Sequence, residues 1–455
     1  MAGINHKGTL MTEGSISRQL IWFALPLLVG NLFQQFYNTV DSIVVGNFVS
    51  TQALAAVGST TVIINTIIGF FMGLSTGAGV VVSQAYGAQN DKGVHDAVHT
   101  TVLTVFLMSI VFSFIGVWAT PFMLRLMSTP EDVFPEAQQY LQIYFSGACT
   151  VILYNMGSGI MRAVGDSKRP LYFLILSAML NVAFDLLFVL GFRMGIAGVA
   201  IATVLAQGIS AALILLSLSH SHDSYRLIWR DLRIQPKILG RVLALGLPAA
   251  IQMMLTSFSN VFVQSYINVF GSDAMAGWSA YNKLDQFIML PMQAMALAST
   301  TFVGQNIGAK NLDRARKGTR TSTVLAVSST AVLITALCIF AEPMLRMFTK
   351  DAAVLTLGAL FIRTNCPFMW MCCFNQIYAG ALRGTGDSKA PMIIMLCSFV
   401  LFRQIYLFTA SRLFPGVVQA VALGYPVGWL LCSSSMFIYY KKSHWEEKCL
   451  AKVGD

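Results

Sequence analysis

Charged residues are scarce in this chain of 455 residues. Asp, Glu, Lys and Arg make up 11% of it, whereas a soluble domain carries about 25%. Hydrophobic residues account for 56%, and the mean hydropathy is +0.66. This composition excludes an ordinary soluble enzyme. Because a membrane crossing needs about 20 residues, the length accommodates roughly a dozen helices and no large extramembrane domain.

Residues that build metal centres, disulfides or catalytic sites are few and dispersed. Of the eight cysteines, only Cys449 lies outside an apolar stretch, so neither a disulfide framework nor a zinc knuckle is expected. The six histidines fall in predicted loops, helix ends or tails, namely His6, His95, His99, His220, His222 and His444. We therefore expect no catalytic residues, no enzyme activity and no bound cofactor.

The apolar runs predict an all-α integral membrane protein with twelve transmembrane helices. The predicted helices are 18–46, 53–83, 94–123, 137–161, 171–191, 195–219, 241–269, 274–304, 319–347, 353–381, 391–412 and 417–440. One long polar stretch, 219–240, separates the sixth helix from the seventh. The predicted domains are an N-lobe at 1–218, a cytoplasmic linker at 219–240, a C-lobe at 241–440 and a cytoplasmic tail at 441–455.

The basic residues are distributed unevenly between the two sides of this predicted bundle. An even number of crossings places both termini on one side, and the loops of that side hold 22 of the 30 Lys and Arg residues, against six on the other side. Cytoplasmic loops are enriched in Lys and Arg, so both termini are predicted to be cytoplasmic. The net charge of +10 is then explained by an anionic lipid surface, and no nucleic-acid partner is expected.

The chain repeats itself at an offset of 221 residues. The segment 159–170, GIMRAVGDSKRP, recurs as GALRGTGDSKAP at 380–391, and VSQAYGAQN at 82–90 recurs as VGQNIGAKN at 303–311. Two independent matches at one offset indicate duplication of a six-helix unit. Because six is even, the two lobes keep one orientation and are expected to be related by an axis along the membrane normal.

These paired motifs resemble those of the multidrug and toxic compound extrusion (MATE) family. The similarity covers nearly the whole chain and is carried by the repeated VxQxxGAxN and GxxRxxGDSKxP segments together with the twelve-helix plan. It implies a transporter that exchanges cations for organic, often cationic, compounds. It also implies a bacterial inner membrane as the location.

Polar residues inside the N-lobe helices predict a cation site. An ionised side chain at the centre of a membrane helix costs about 2.5 to 3.5 kcal/mol, so intramembrane carboxylates indicate function. Three-residue and four-residue spacings place Asn31, Gln34, Asn38 and Asp41 on one face of the first helix, and Ser177, Asn181 and Asp185 on one face of the fifth. The predicted cation ligands are Asp41, Asn181, Asp185 and Thr203, and hydrogen bonding between helices is the alternative role of all four. Their hard oxygen atoms suit a proton or Na⁺, with Na⁺ at Asp41, Asn181 and Asp185. The set is similar to the N-lobe acidic cluster of the DinF-like branch of the family.

The C-lobe lacks an equivalent acidic pair. At the repeat offset, the Asn181 and Asp185 region falls near Arg403 and Tyr406, so a cation stands close to where the N-lobe has an acid. Lys283 and Asp285 either contribute to a cavity or neutralise one another. Residues predicted to line the substrate cavity are Gln34, Asn38, Gln207, Thr256, Lys283, Asp285, Gln376 and Arg403.

The resulting prediction is a cation-coupled antiporter, driven by H⁺ or Na⁺, that exports organic compounds by alternating access. The alternative is a lipid-linked oligosaccharide flippase of the related superfamily, which would need more cavity cations than Lys283 and Arg403. The expected partners are small organic molecules and membrane lipid, and the protein is expected to act as a monomer. Pro26 and Pro248, at matching places in the first and seventh helices, either permit bending or make static kinks.

Overall fold

The computed structural model describes residues 8–127, 129–443 and 445–447. Lys7, His6, His444 and the predicted tail from 448 onward lie outside the described residues. The described part is helical and contains no strand. Its α-helices are α1 Ile16–Phe48, α2 Thr51–Gly87, α3 Asp91–Leu126, α4 Phe134–Ser146, α5 Ala148–Ala163, α6 Lys168–Leu186, α7 Gly195–Ser219, α8 Pro236–Asn268, α9 Ser272–Gly308, α10 Leu312–Ile339, α11 Ala341–Leu345, α12 Ala352–Asn365, α13 Trp370–Gly384, α14 Lys389–Met395, α15 Arg403–Leu413, α16 Val418–Ala422 and α17 Gly424–Lys442.

Most predicted crossings are continuous in the structure, and several are interrupted. Within the described residues, ten helical segments are long and apolar enough to span a membrane, and α12 with α13 forms an eleventh span bent by 50°. The bend falls at the short 3₁₀ turn Cys366–Phe368, where Pro367 cannot donate a backbone hydrogen bond. The remaining predicted helix, 137–161, is divided at Gly147 into α4 and α5. Turn geometry at these breaks cannot be read from hydrophobicity alone.

Two π-helical segments interrupt other crossings. Leu187–Gly191 follows α6, and Leu396–Phe402 connects α14 to α15. A π-helical turn adds a residue to the helix and rotates the side chains beyond it, and such turns occur frequently at functional sites. Each of these turns lies next to a charged residue, Asp185 in the first case and Arg403 in the second.

The chain forms two compact units. Unit 1 comprises 1–10 and 25–247, and unit 2 comprises 11–24 and 248–455. The first helix of each predicted lobe therefore contributes to both units, because α1 changes unit just before Pro26 and α8 changes unit at Pro248. The sequence analysis, in contrast, placed each of these helices entirely within one lobe.

Unit 1 is organised around α2, α5 and α7, with α6 packed on α7 and α3 packed on α4 and α5. The start of α8 also lies in this unit. There, Gly77 of α2 and Gly246 of α8 bring two backbones into direct contact, and a side chain at either position would meet the opposite backbone. Small residues allow such close approach between membrane helices.

Unit 2 is organised around α9, which packs on α10, α12 and α13, while α13 also packs on α17. The segment before α1 is held here by side chains of α9 and α10. The Met11 N–H donates to Gln305 Oε1 (2.8 Å), and the Met11 carbonyl accepts from Asn306 Nδ2 (3.2 Å) and Arg314 Nε (3.1 Å).

The repeated motifs form helix caps. Asn90 and Asn311, the last residues of the two VxQxxGAxN segments, accept hydrogen bonds from the N–H groups of Gly93 and Arg314 and so begin α3 and α10. In the GDSKxP segments, Gly165 and Gly386 adopt φ of +87° and +89°, which favours glycine. These motifs position the ends of the helices that carry the polar residues.

Candidate functional site

The centre of the site in unit 1 is a contact between two acids. The carboxyl groups of Asp41, from α1, and Asp185, from the last turn of α6, lie close enough to interact side chain to side chain. Asp185 is 0% exposed, and Asp41 is half-buried. Neither oxygen of Asp185, nor Asp41 Oδ1, accepts a hydrogen bond from a donor in the described part of the chain. Two ionised carboxylates contain no donor and repel each other, so a proton or a small cation between them would stabilise the pair.

Asn181 and Thr203 complete the predicted set. Asn181 is buried one helical turn before Asp185 on α6, and its Nδ2 donates to Thr203 Oγ1 at 3.4 Å. Thr203 in turn donates to the carbonyl of Val199 at 3.1 Å. Asn181 Oδ1 is buried and has no hydrogen-bond partner among the described residues. The structure thus places a polar pair one helical turn from Asp185 and leaves buried oxygen atoms of the type that a small hard cation prefers.

Two tyrosines that the sequence analysis missed border the acids. The Tyr37 hydroxyl contacts the side chains of Gln34 and Gln207 and interacts electrostatically with Asp41. Tyr140, from α4, interacts electrostatically with both acids. Tyr37 precedes Asp41 by four residues, so helical spacing could have identified it. Nothing in the sequence around Tyr140 pointed to the site.

The predicted cavity residues of unit 1 differ in exposure. Gln207 is buried, whereas Gln34 and Asn38 are exposed on α1. The Tyr37 hydroxyl contacts both Gln34 and Gln207, so the structure connects these two of the three predicted cavity residues. The Asn38 carbonyl accepts a hydrogen bond from Ser42 Oγ at 3.0 Å, which is a local helix contact.

Unit 2 has a guanidinium group in place of an acidic pair. Arg403 is 2% exposed, and its Nη2 donates to Ser259 Oγ at 2.8 Å and to Asn260 Oδ1 at 2.9 Å. The guanidinium lies over the Tyr425 ring at 4.9 Å. In the sequence, Arg403 was identified by its repeat position, whereas its partners on α8 and α17 were not.

Among the other predicted cavity residues of unit 2, Asp285 and Lys283 each contact a different side chain. Asp285 accepts a hydrogen bond from the Tyr281 hydroxyl at 3.1 Å, and Lys283 is exposed and lies over the Phe348 ring at 5.3 Å. Lys283 and Asp285 form no ion pair with each other in the described structure, so one of their two predicted roles, mutual neutralisation, is not observed. Thr256 and Gln376 are half-buried, and Thr256 Oγ1 has no partner among the described residues.

Comparisons with known proteins agree on one family. The MatE family profile matches the chain twice, at residues 26–187 and 248–409, which confirms the internal duplication. A probable multidrug resistance protein of Bacillus subtilis, YpnP, is 31% identical over 439 residues that cover 96% of this chain and 97% of the relative.

Solved structures of the same class confirm the fold. A MOP superfamily transporter from Pyrococcus furiosus superposes with a TM-score of 0.91 at 21% identity, covering 97% of this chain and 99% of the other. A multidrug resistance MATE family transporter in an outward-facing conformation gives 0.90 at 20% identity, covering 97% and 98%. The all-α, two-lobe membrane architecture predicted from the sequence is therefore correct, and the chain belongs to the MatE family of membrane transporters and is not an enzyme.

Proposed function

We propose that this protein is a cation-coupled antiporter that exports organic, drug-like compounds, many of them cationic, by alternating access. Its relationship to a probable multidrug resistance protein over nearly the whole chain supports drug export. The coupling cation, H⁺ or Na⁺, binds at Asp41 and Asp185, with Asn181 and Thr203 supplying further oxygen ligands.

The observation that carries this proposal is the contact between the two acids. Two ionised carboxylates side by side in a low-dielectric site repel each other strongly, and no described cation of the protein neutralises them. Binding of a proton or Na⁺ removes that repulsion. Coupling follows if the loaded and empty pairs favour different conformations of the transporter, since a ligand shifts an equilibrium only by its differential affinity for the two states.

The remaining parts of the proposal concern location. A bacterial cell membrane is supported by the membrane helices and by the bacterial relative. We place both termini in the cytoplasm because of the 22 basic residues on that side. The transporter works as a monomer, binds small organic substrates and membrane lipid, and uses no cofactor beyond the coupling ion.

The test is dye efflux from proteoliposomes under separately imposed pH and Na⁺ gradients. We expect Asp41→Asn and Asp185→Asn each to lower gradient-driven efflux by about tenfold or more, because Asn keeps size and hydrogen bonding but neither ionises nor holds a bare cation strongly. The gradient that drives the wild-type protein identifies the ion.

The matched control is Asp132→Asn, which makes the same chemical change at an exposed acid in the turn before α4. It should transport as the wild type does. Normal gradient dependence in well-folded Asp41→Asn and Asp185→Asn proteins would refute coupling at this pair.

A further inference from the structure

Arg403 is a buried cation of unit 2 without an anionic partner. It is the fifteenth residue of the 25-residue apolar span Lys389–Leu413, so it lies well inside the membrane segment. Charged side chains at this depth are costly and are normally paired with opposite charge. In the part of the chain that the structure describes, its contacts are with neutral groups, namely Ser259, Asn260, Phe399 and Tyr425.

The guanidinium group also has hydrogen-bonding capacity left over. Nη2 makes the two bonds to Ser259 and Asn260, whereas Nε is buried and has no partner among the described residues. Guanidinium presents five N–H donors in a planar fork whose geometry matches the two oxygens of a carboxylate. In the described structure, therefore, no ion pair uses the positive charge and no hydrogen bond uses this part of the fork.

Asp285 does not take this role. It is the acid that shares an electrostatic neighbour, Tyr425, with Arg403, yet its Oδ1 accepts from the Tyr281 hydroxyl and it forms no ion pair with Arg403 in the described structure. An acid that neutralised Arg403 would be expected to form an ion pair with it. The positive charge of Arg403 is therefore not balanced by a described acid of unit 2.

The backbone around Arg403 parallels that of the coupling site. The π-helical segment Leu396–Phe402 ends directly before Arg403, and the π-helical segment Leu187–Gly191 begins two residues after Asp185. Each unit thus places one charged side chain beside a π-helical turn. Unit 1 has an acid there, and unit 2 has a base.

We propose that Arg403 is a subsite for an acidic group, the carboxylate of an organic substrate. The substrate binds through its carboxylate to Nε and the neighbouring donors of the guanidinium, which exposed Asn260 and half-buried Tyr425 contact directly. This inference rests on the proposed function and extends it, because it predicts that zwitterionic or anionic compounds are substrates alongside cationic ones.

The test compares two dyes that differ in one carboxylate, rhodamine B and its ethyl ester. Binding to the purified full-length protein is measured by fluorescence polarisation, in detergent and in nanodiscs of zwitterionic lipid. We expect the wild type to prefer rhodamine B, and Arg403→Gln to reduce that preference by about tenfold or more, as for loss of a charged hydrogen bond. Arg412→Gln removes an exposed cation from the same helix and should leave the preference unchanged.

A second variant keeps the test decisive if Arg403→Gln folds poorly. Asn260→Asp retains Arg403 and places a carboxylate within reach of Nη2, so it should abolish the preference for rhodamine B while binding of the ester persists. The inference is overturned if the wild type does not bind rhodamine B more tightly than the ester, or if Asn260→Asp preserves the preference. Displacement of rhodamine B by anionic phospholipid added to the nanodiscs would assign the site to a lipid phosphate and would also overturn it.

Transport of the ester separates this inference from the proposed function. The ester carries no acid, so its gradient-driven efflux from proteoliposomes tests drug export without involving Arg403. Efflux of the ester without a carboxylate preference leaves the export function standing and refutes the subsite. A carboxylate preference without efflux of either dye supports the subsite and refutes the export function.

Discussion

Asp185 and Asp285 are both acids within membrane helices, and their surroundings differ in one decisive respect. Asp185 meets a second carboxyl group, that of Asp41, and receives no hydrogen bond from a described donor. Asp285 accepts a hydrogen bond from the Tyr281 hydroxyl at 3.1 Å and contacts no other described acid. A carboxyl group that already has a donor gains less from binding a cation than one that faces another carboxyl group. Two aspartates within membrane helices therefore need not have the same role.

We accordingly predict that Asp285→Asn keeps the ion dependence of transport. Asn can still accept the hydrogen bond from Tyr281, and no second carboxylate is left uncompensated. Thr256→Ala and Gln376→Ala, which alter neutral cavity residues, should change apparent substrate affinity and preserve ion dependence. Initial rates of dye efflux at graded pH and Na⁺ gradients measure both quantities for each variant.

Asp185→Asn, measured side by side, is the positive control and should lose ion dependence. Loss of ion dependence in Asp285→Asn with its retention in Asp185→Asn would place the coupling site in unit 2.

At the scale of helices, α1 and α8 share one feature: each contains a proline where the chain changes from one compact unit to the other. The change occurs between Ala24 and Leu25 in α1, next to Pro26, and between Leu247 and Pro248 in α8. Proline lacks the N–H that would bond the carbonyl four residues earlier, so a helix bends more easily there. Their placement favours bending over a static kink as the role of these prolines.

We expect Pro248→Ala to slow transport several-fold while dye binding stays near the wild-type value. Alanine restores a backbone hydrogen bond and stiffens α8 where it passes between units. Turnover in proteoliposomes and equilibrium dye binding to the purified protein separate the two effects. Pro121→Ala is the control, since Pro121 lies inside α3, a helix that belongs wholly to unit 1. Equal slowing by both variants, or none by Pro248→Ala, would contradict a special role for Pro248.

The sequence predicted the helices more readily than their interruptions. Long apolar runs and the positions of basic residues define crossings, because burial in lipid demands about 20 apolar residues whatever the packing. The break at Gly147 and the two π-helical segments interrupt otherwise apolar runs, and the bend at Cys366–Phe368 coincides with Pro367. Hydrophobic periodicity carries no signal for them.

The candidate site was predictable to a similar extent. Helical spacing placed Asp41, Asn181 and Asp185 on polar faces that must avoid lipid, and the structure brings Asp41 and Asp185 into contact. Tyr140 was missed because its proximity to the acids comes from the packing of α4. Ser259 and Asn260 were missed as partners of Arg403 because they lie on α8, 144 and 143 residues away in the chain. Tyr425 was missed because it lies on a different helix, α17.

At the scale of the whole molecule, one duplicated backbone supports two kinds of chemistry. The same family profile matches residues 26–187 and 248–409, yet unit 1 encloses two acids in contact and unit 2 encloses Arg403 without an acid partner among the described residues. Duplication preserved the caps at Asn90 and Asn311 and allowed the buried polar residues to diverge. A transporter built in this way can bind a driving cation in one unit and recognise the substrate in the other.

The orientation of the whole chain provides the last prediction. The segment before α8 is fixed to α3, since His99 Nε2 accepts from the Ile228 N–H at 2.9 Å and Arg233 Nη2 donates to Asp96 at 3.0 Å. Arg230 is exposed on this segment, so Arg230→Cys introduces an accessible thiol with little disturbance.

If both termini are cytoplasmic, a membrane-impermeant maleimide labels Arg230→Cys only after the cells are permeabilised. Asp132→Cys, at an exposed position three helices from the N-terminus, should be labelled in intact cells, because an odd number of crossings reaches the other side. The parent protein, labelled in parallel, gives the background from its own thiols, and epitope tags at the two termini should behave like Arg230→Cys. Labelling of Arg230→Cys in intact cells, with Asp132→Cys protected, would reverse the orientation and would show that the excess of basic residues faces outward.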